Sequence, residues 1–301
     1  MAFAQGSRTG LSYVVEDSFG STPGSPTMLT IPYATHSLGL SKERVQGRDI
    51  LSDRIPRIDR HGTRMAEGNI VVDFRADDYD DFLESAFFSE IATDGTMSTG
   101  ITPKYLTIED RAEDIAQYRQ FTGMAVSQMT MNVAPNQLIE TTFAMMGQDL
   151  VQAQTSLGTP TDASGNNAFD SFSGDISEGG GTVTNISSID FTLSNSLAPT
   201  PVVGSRTTPQ LEYGRSVVTG NVSFYYEDET IIDKFLDEVE SSISFTLDDP
   251  VSGTSYTFNF PAVKFNGAAV PVGGPQSRIV AVPFVAIYDS SSEYHLQLTK
   301  T

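Results

Sequence analysis

The sequence predicts a mainly β chain with short α segments, arranged as two tandem β-sandwich or barrel domains, each flanked by one helix and related by internal duplication. Three observations lead there. Apolar and polar residues alternate through much of the chain, which is the two-residue period of half-buried strands. A stretch rich in Gly, Pro, Ser, Thr and Asn, residues 152–167, divides the 301 residues near their midpoint. The two halves also repeat one another. Gly62-Thr-Arg-Met-Ala-Glu-Gly68-Asn69-Ile70-Val71-Val72 is answered by Gly214-Arg-Ser-Val-Val-Thr-Gly220-Asn221-Val222-Ser223-Phe224.

The elements follow in order. Leu38-Gly39-Leu40-Ser41 and its counterpart Phe191-Thr192-Leu193-Ser194 open the repeated part. Ile70, Val72 and Phe74 alternate as a strand, as do Val222, Phe224 and Tyr226. Next comes an acidic segment in each half. Residues 78–88 place Tyr79, Phe82, Leu83, Ala86 and Phe87 on one helical face. Residues 228–239 do the same with Ile231, Ile232, Phe235, Leu236 and Val239. Acidic residues at both helix starts complement the positive end of the dipole. Further strands are expected around Val126–Met131, Ile189–Leu193, Tyr256–Phe260 and Ile279–Ile287, and a hairpin turn at Gly179-Gly180-Gly181-Thr182. The division is residues 1–151 for the first domain, 152–168 for a linker and 169–301 for the second.

Composition excludes several functions. Without cysteine there is no disulfide, thiolate zinc site or cysteine nucleophile. The balance of 18 basic against 38 acidic residues, a net charge of −20, opposes stable binding to nucleic-acid phosphates. With 18 Phe and 11 Tyr the chain has material for packed cores. No apolar run resembles a signal segment or a membrane-spanning helix, so no membrane insertion is expected.

Candidate chemistry is sparse. The acidic run Asp77-Asp78-Tyr79-Asp80-Asp81 fails the calcium-loop pattern, because the sixth and twelfth positions from Asp78 are Leu83 and Ser89. It reads instead as a charged helix start. There is no nucleophile elbow, phosphate loop or dinucleotide fingerprint. His36, His61 and His295 have no partner visible in sequence and read as surface or interface histidines. No catalytic residue, metal or cofactor is expected.

The most unusual segment is basic. Arg44, Arg48, Arg54, Arg57, Arg60 and Arg64 stand within 21 residues, mixed with Asp49, Asp53, Asp59 and several aliphatics. Guanidinium groups pair in fork geometry with carboxylates, so this pattern suits a protein–protein contact. The corresponding stretch of the second half, residues 198–213, has Arg206 alone.

At these residues the chain resembles the tail-tube (major tail) proteins of long-tailed bacteriophages, in a two-domain duplicated form. The resemblance rests on Arg54-Ile-Pro-Arg57-Ile-Asp-Arg60-His61-Gly62, Gly68-Asn69 and Asp80-Asp81-Phe82-Leu83-Glu84. Gln117-Tyr118-Arg119-Gln120-Phe121-Thr122-Gly123 and Asn132-Val133-Ala134-Pro135-Asn136 add to it. So do Phe169-Asp-Ser-Phe172-Ser-Gly174, Tyr213-Gly214-Arg215 and Asp233-Lys-Phe-Leu236-Asp-Glu238. It implies a virion structural protein that assembles into stacked rings around a DNA channel. A duplicated chain would need three copies per ring, with six as the alternative. Implied partners are the chain itself, the terminator, tape measure and baseplate proteins, and viral DNA in transit only. The resemblance places the protein in the virion tail, made in the cytoplasm of the bacterial host. The six arginines then become candidate inter-subunit or inter-ring contacts, and the acidity would keep DNA from sticking. A two-domain β-sandwich binding module, adhesin or carbohydrate-binding, is the alternative reading.

Overall fold

The computed structural model describes residues 3–50, 52, 53, 55, 57–171, 174–272, 274, 275 and 277–301. Arg54, and also Leu51, Pro56 and Phe172 of the segments above, lie outside the described residues.

Alternation of apolar side chains builds the strands of the first half: β1 (Thr9–Val15), β2 (Leu29–Ile31), β3 (Thr35–His36), β4 (Gly39–Gln46), β5 (Asp59–Asp73), β6 (Thr96–Ser98), β7 (Leu106–Ala112), β8 (Gln117–Val133), β9 (Glu140–Gly147) and β10 (Asp149–Ala153). Helix α1 (Asp80–Phe87) lies between β5 and β6. The second half holds β11 (Ile176–Glu178), β12 (Gly181–Thr182), β13 (Ile186–Ser194), β14 (Ala198–Pro199), β15 (Leu211–Glu212), β16 (Val217–Tyr225), β17 (Ser241–Asp248), β18 (Ser255–Phe265), β19 (Ile279–Ala286) and β20 (Gln297–Lys300). Helix α2 (Thr230–Leu236) lies between β16 and β17. The predicted hairpin is present: Gly179 and Gly180 both have positive φ between the paired β11 and β12.

The order of hydrogen-bonded neighbours is the same in both halves. β4–β5–β9–β8 corresponds to β13–β16–β19–β18. β1–β7–β8–β10 corresponds to β11–β17–β18–β20. β8 and β18 each serve two layers, and a bulge marks the crossing in both. Leu106 pairs with Met124 but Ile108 with Phe121; Ser241 pairs with Val263 but Ile243 with Phe260. An extra residue bends a strand and turns it from one sheet into the next. Pro261 stands in the second bulge, where the missing N–H breaks no ladder bond.

The halves join through β8 and β13, with Met129, Thr130 and Met131 opposite Leu193, Thr192 and Phe191. One layer of each half thus fuses into a continuous antiparallel sheet ordered β4–β5–β9–β8–β13–β16–β19–β18. One hydrophobic core runs behind it, from Leu11, Ile70 and Phe143 to Phe191, Phe258 and Phe284. The repeated Gly-Asn pair has a steric origin. A Cβ on Gly68 would lie 2.5 Å from the Ser37 carbonyl oxygen, and one on Gly220 would lie 2.4 Å from both the Asp190 oxygen and the Phe284 ring.

The two helices differ in depth. Phe82, Leu83, Ala86 and Phe87 of α1 are buried, as the periodicity predicts. Leu236 at the end of α2 is 66% exposed and Val239 just beyond it 48% exposed, although both belong to the predicted apolar face. This helix also ends earlier than predicted. Glu238 adopts φ 53° and the Val239 N–H donates back to the Lys234 carbonyl at 3.0 Å, a helix-terminating geometry.

The acidic run at α1 is consumed by lysines and tyrosines from both halves. The Lys300 ammonium lies 2.6 Å from Asp77 and 2.5 Å from Asp80. Lys104 lies 2.5 Å from Asp81 and also pairs with Glu84. Tyr256 donates to Asp80 at 2.6 Å and Tyr13 to Asp81 at 2.9 Å. Burial alone would lower the Lys300 ammonium, but its bonds to Asp77 and Asp80 outweigh that and raise it.

The Gly/Ser/Thr/Pro/Asn-rich stretch adheres to the first half. Its opening residues belong to β10, the Leu157 N–H donates to buried Glu109, and the Ser164 N–H donates to Asp78. Phe169 then stacks on Phe74 at 5.6 Å and meets Tyr256 edge-on at 5.7 Å. Two of the histidines expected at a surface or interface, His36 and His295, are half-buried. His36 packs edge-on against Tyr33 at 5.3 Å, and His295 lies between Thr99 and Ser216. Burial lowers both imidazoles, with Arg119 adding to the effect at His36 and Asp110 opposing it.

Candidate functional site

Among the described residues this packing leaves open the outer face of the eight-strand sheet, its two terminal edges and an arm carrying the arginines, besides the exposed side of α2.

The outer face is the polar phase of the alternation. Glu67, Asn69, Gln128, Thr130, Asn132, Glu140, Thr192 and Asn221 point away from the buried Ile70, Met129, Met131, Phe143, Phe191 and Val222. Across residues 66–73, 125–133, 140–147, 186–194, 217–225 and 279–286 there is no Lys or Arg. Within these ranges the charged groups on this phase are Glu67, Asp73, Glu140 and Asp190; at the β18 border Lys264, opposite Val285, is on the same phase and lies 3.7 Å from Glu240. Burial raises the Asp190 carboxyl, partly offset by its hydrogen bond with Asn221. Sequence reading anticipates an acidic surplus but not these residues. Their signal is the run of Thr, Ser and Asn at alternate positions, which becomes legible once the register is known.

The sheet ends at β4 on one side and at the continuation of β18 on the other. After Phe265 the chain still follows β19, with the Asn266 N–H donating to Pro283 at 2.8 Å and Ala269 bridged to Ala281. Both edges carry backbone carbonyls without strand partners. The Leu38 oxygen accepts a 3.5 Å contact from the Arg119 guanidinium, and the Val270 oxygen accepts a 3.0 Å bond from Arg278.

The arm is the extension of β4 and β5 beyond the sheet. Arg44, Val45 and Gln46 stand opposite His61, Arg60 and Asp59. Its surface is exposed, including Val45, Ile50, Ile55 and Ile58. The predicted arginines are not equivalent here. Arg44 is held by Asp59 at 2.8 Å, which keeps that carboxyl below its ordinary range through the hydrogen bond, and Arg57 pairs with Asp53 at 2.5 Å. Arg48 and Arg60 are exposed and have no ion pair among the described residues. Arg64 turns back to Asp149 of β10 at 2.5 Å and so anchors the root of the arm. Beside the arm a groove of about 710 Å³ is lined by Lys42, Arg44, Val45, Met65 and Pro199, among others.

The open surfaces are thus sheet edges, a ribbon and a flat polar face, the features of a self-associating structural β protein. The family model for phage tail tube proteins matches residues 6–286, nearly the whole chain, and the protein belongs to that family. It is a structural component of the virion tail. No curated protein matches the chain. No helix among the described residues is long and apolar enough to cross a membrane.

Proposed function

We propose that this chain is the tail-tube subunit itself: copies close into rings, the rings stack, and the genome passes through the channel during ejection. The observation that carries this reading is the outer face of the six central strands β5, β9, β8, β13, β16 and β19, where residues 66–73, 125–133, 140–147, 186–194, 217–225 and 279–286 hold no Lys or Arg. Phosphates carry one negative charge per ~1.7 Å of duplex, so clustered Lys or Arg on a channel wall would hold DNA by counterion release. A wall of Thr, Ser, Asn and a few carboxylates repels the duplex weakly and lets it slide. The subunit performs no catalysis and takes no cofactor, and DNA is a passing contact.

Matching order of the corresponding strands, the shared bulge of β8 and β18 and the equivalent Gly68 and Gly220 support duplication, with domains at residues 1–151 and 169–301 joined by 152–168. Three chains then supply six equivalent domains per ring; six chains are the alternative stoichiometry. The arm, through Arg44, Arg48, Arg54, Arg57 and Arg60 with Arg64 at its root, contacts neighbouring subunits or rings. The terminator, tape measure and baseplate proteins bind the ends and lumen of the tube. Synthesis takes place in the bacterial host cytoplasm before assembly. Electron microscopy of the purified protein tests this reading. Stacked rings with a central channel are expected, and a strict monomer at high concentration together with virions lacking such a tube would overturn it.

A further inference from the structure

The internal junction is a template for a junction between chains. In each half the sheet runs from a β4-type strand to a β8-type strand, and inside the chain the β8 edge of the first half is paired with the β13 edge of the second. Their counterparts, the β18 edge and the β4 edge, are the two unpaired ends. The correspondence is fixed residue by residue. Gly39 pairs with Glu67 and Thr192 with Thr219, each one position before the steric glycine, so Gly39 corresponds to Thr192. Met124 and Val263 follow the shared bulge, Val126 and Phe265 face Met145 and Phe284, and Thr130 and Ala269 face Thr142 and Ala281. Ala269 therefore corresponds to Thr130, and Thr130 is opposite Thr192 with their hydroxyl oxygens 3.1 Å apart.

A second observation marks the same seam. At the internal junction Asn195, just past β13, fills the space between α1 and β8. Its side-chain amide donates to the Ala86 carbonyl at 2.8 Å and the Val126 carbonyl at 3.0 Å. In the second half that position is a hollow of about 420 Å³ between α2 and β18, lined by Leu236, Glu238, Val239, Lys264 and Phe265, with the Lys264 ammonium already 3.7 Å from Glu240. Lys42, just past the corresponding part of β4, occupies the place of Asn195. Glu227, Asp228, Glu229, Asp233, Asp237 and Glu238 are exposed around α2, and the arm that follows Lys42 is rich in arginine.

We propose that residues 267–272 of one chain pair antiparallel with residues 36–41 of the next, Ala269 opposite Gly39, and that Lys42 of the incoming strand seats in the hollow beside α2. This rests on the tube reading above and names its lateral partner: a second copy, head to tail, in one register. Arg119 and Arg278 hold the edge carbonyls until the partner's N–H groups replace them. The incoming strand and the root of its arm cover Leu236 and Val239.

The absence of cysteine makes the test direct. In assembled tubes, Gly39→Cys with Ala269→Cys gives, on mild oxidation, chains cross-linked to one another up to a closed ring and no further. Thr130→Cys with Thr192→Cys gives the same bond within one chain and migrates as a monomer. Gly39→Cys with Val270→Cys, on opposite faces, gives none. Lys42→Glu, placed beside Glu238, leaves the folded monomer intact and abolishes ring formation. Tubes that form without the 39–269 bond, or that cross-link in the 39–270 register instead, overturn the seam and leave the tube reading standing. Wild-type protein that forms no tubes overturns both.

Discussion

The space of one methyl group decides whether the two glycines of the repeat are replaceable. At Gly220 a Cβ meets backbone oxygen and an aromatic ring on both sides, with nothing that rotates away cheaply. Gly220→Ala is expected to cost about 2–3 kcal/mol, an overpacking penalty, read as a lowered urea midpoint with unchanged slope. Ala269, on an open edge, is expected to accept Ser with almost no change. The acid–lysine cluster sets a different test. Lys300→Met leaves Asp77 and Asp80 without their cation and should destabilise by about 1–2 kcal/mol, discounted for partial exposure. The histidines give the pH dependence. Burial holds His36 and His295 below their unfolded value, so the unfolded chain binds more protons once the pH falls through about 6.5. Stability is present above that pH and declines below it, and His295→Gln should flatten the decline between pH 7.5 and 5.5. An unchanged profile in that variant would remove His295 from the account.

At the scale of elements, the strands, both helices and the Gly-Gly turn were legible because alternation and helical spacing are local properties. Register was not, because it depends on partners far along the chain. The sequence match of Leu38-Gly39-Leu40 to Phe191-Thr192-Leu193 coincides with the structural correspondence of β4 and β13, so the repeat was legible even where its pairing was not. The failures are also physical. The apolar face of α2 reads as buried, yet Leu236 and Val239 stay largely exposed among the described residues. The arginine cluster reads as one surface, but Arg64 spends its guanidinium on Asp149, a partner 85 residues away. The arm makes its own prediction. Arg57→Glu with Arg60→Glu lies wholly on exposed ribbon, so the monomer's melting temperature should move by less than a few degrees while ring stacking is blocked. Tubes of normal length in that variant, measured by negative-stain microscopy, would free the arm of that role.

For the whole molecule, charge acquires a location. The net −20 is spread over both halves, with 12 basic and 21 acidic residues in 1–150 and 6 and 17 in 151–301. Much of it is unavailable to any channel: Asp77, Asp80, Asp81 and Glu84 neutralise Lys104 and Lys300, and Glu16 and Glu109 are buried on hydroxyl and N–H donors. The outer face of the six central strands is accordingly distinguished less by its carboxylates than by its lack of bases, with Lys264 at the β18 border balanced by Glu240. Composition alone reads the surplus as a bar to DNA; the proposed tube would put that property on one face of one sheet. A symmetry-resolved density map of the assembled tube tests this most directly. Rings of three chains with six equivalent domains are expected, the channel lined by Glu67, Thr130, Glu140, Asp190 and Thr192. A channel lined by the arginine arm or the helices, with that face turned outward, would contradict it.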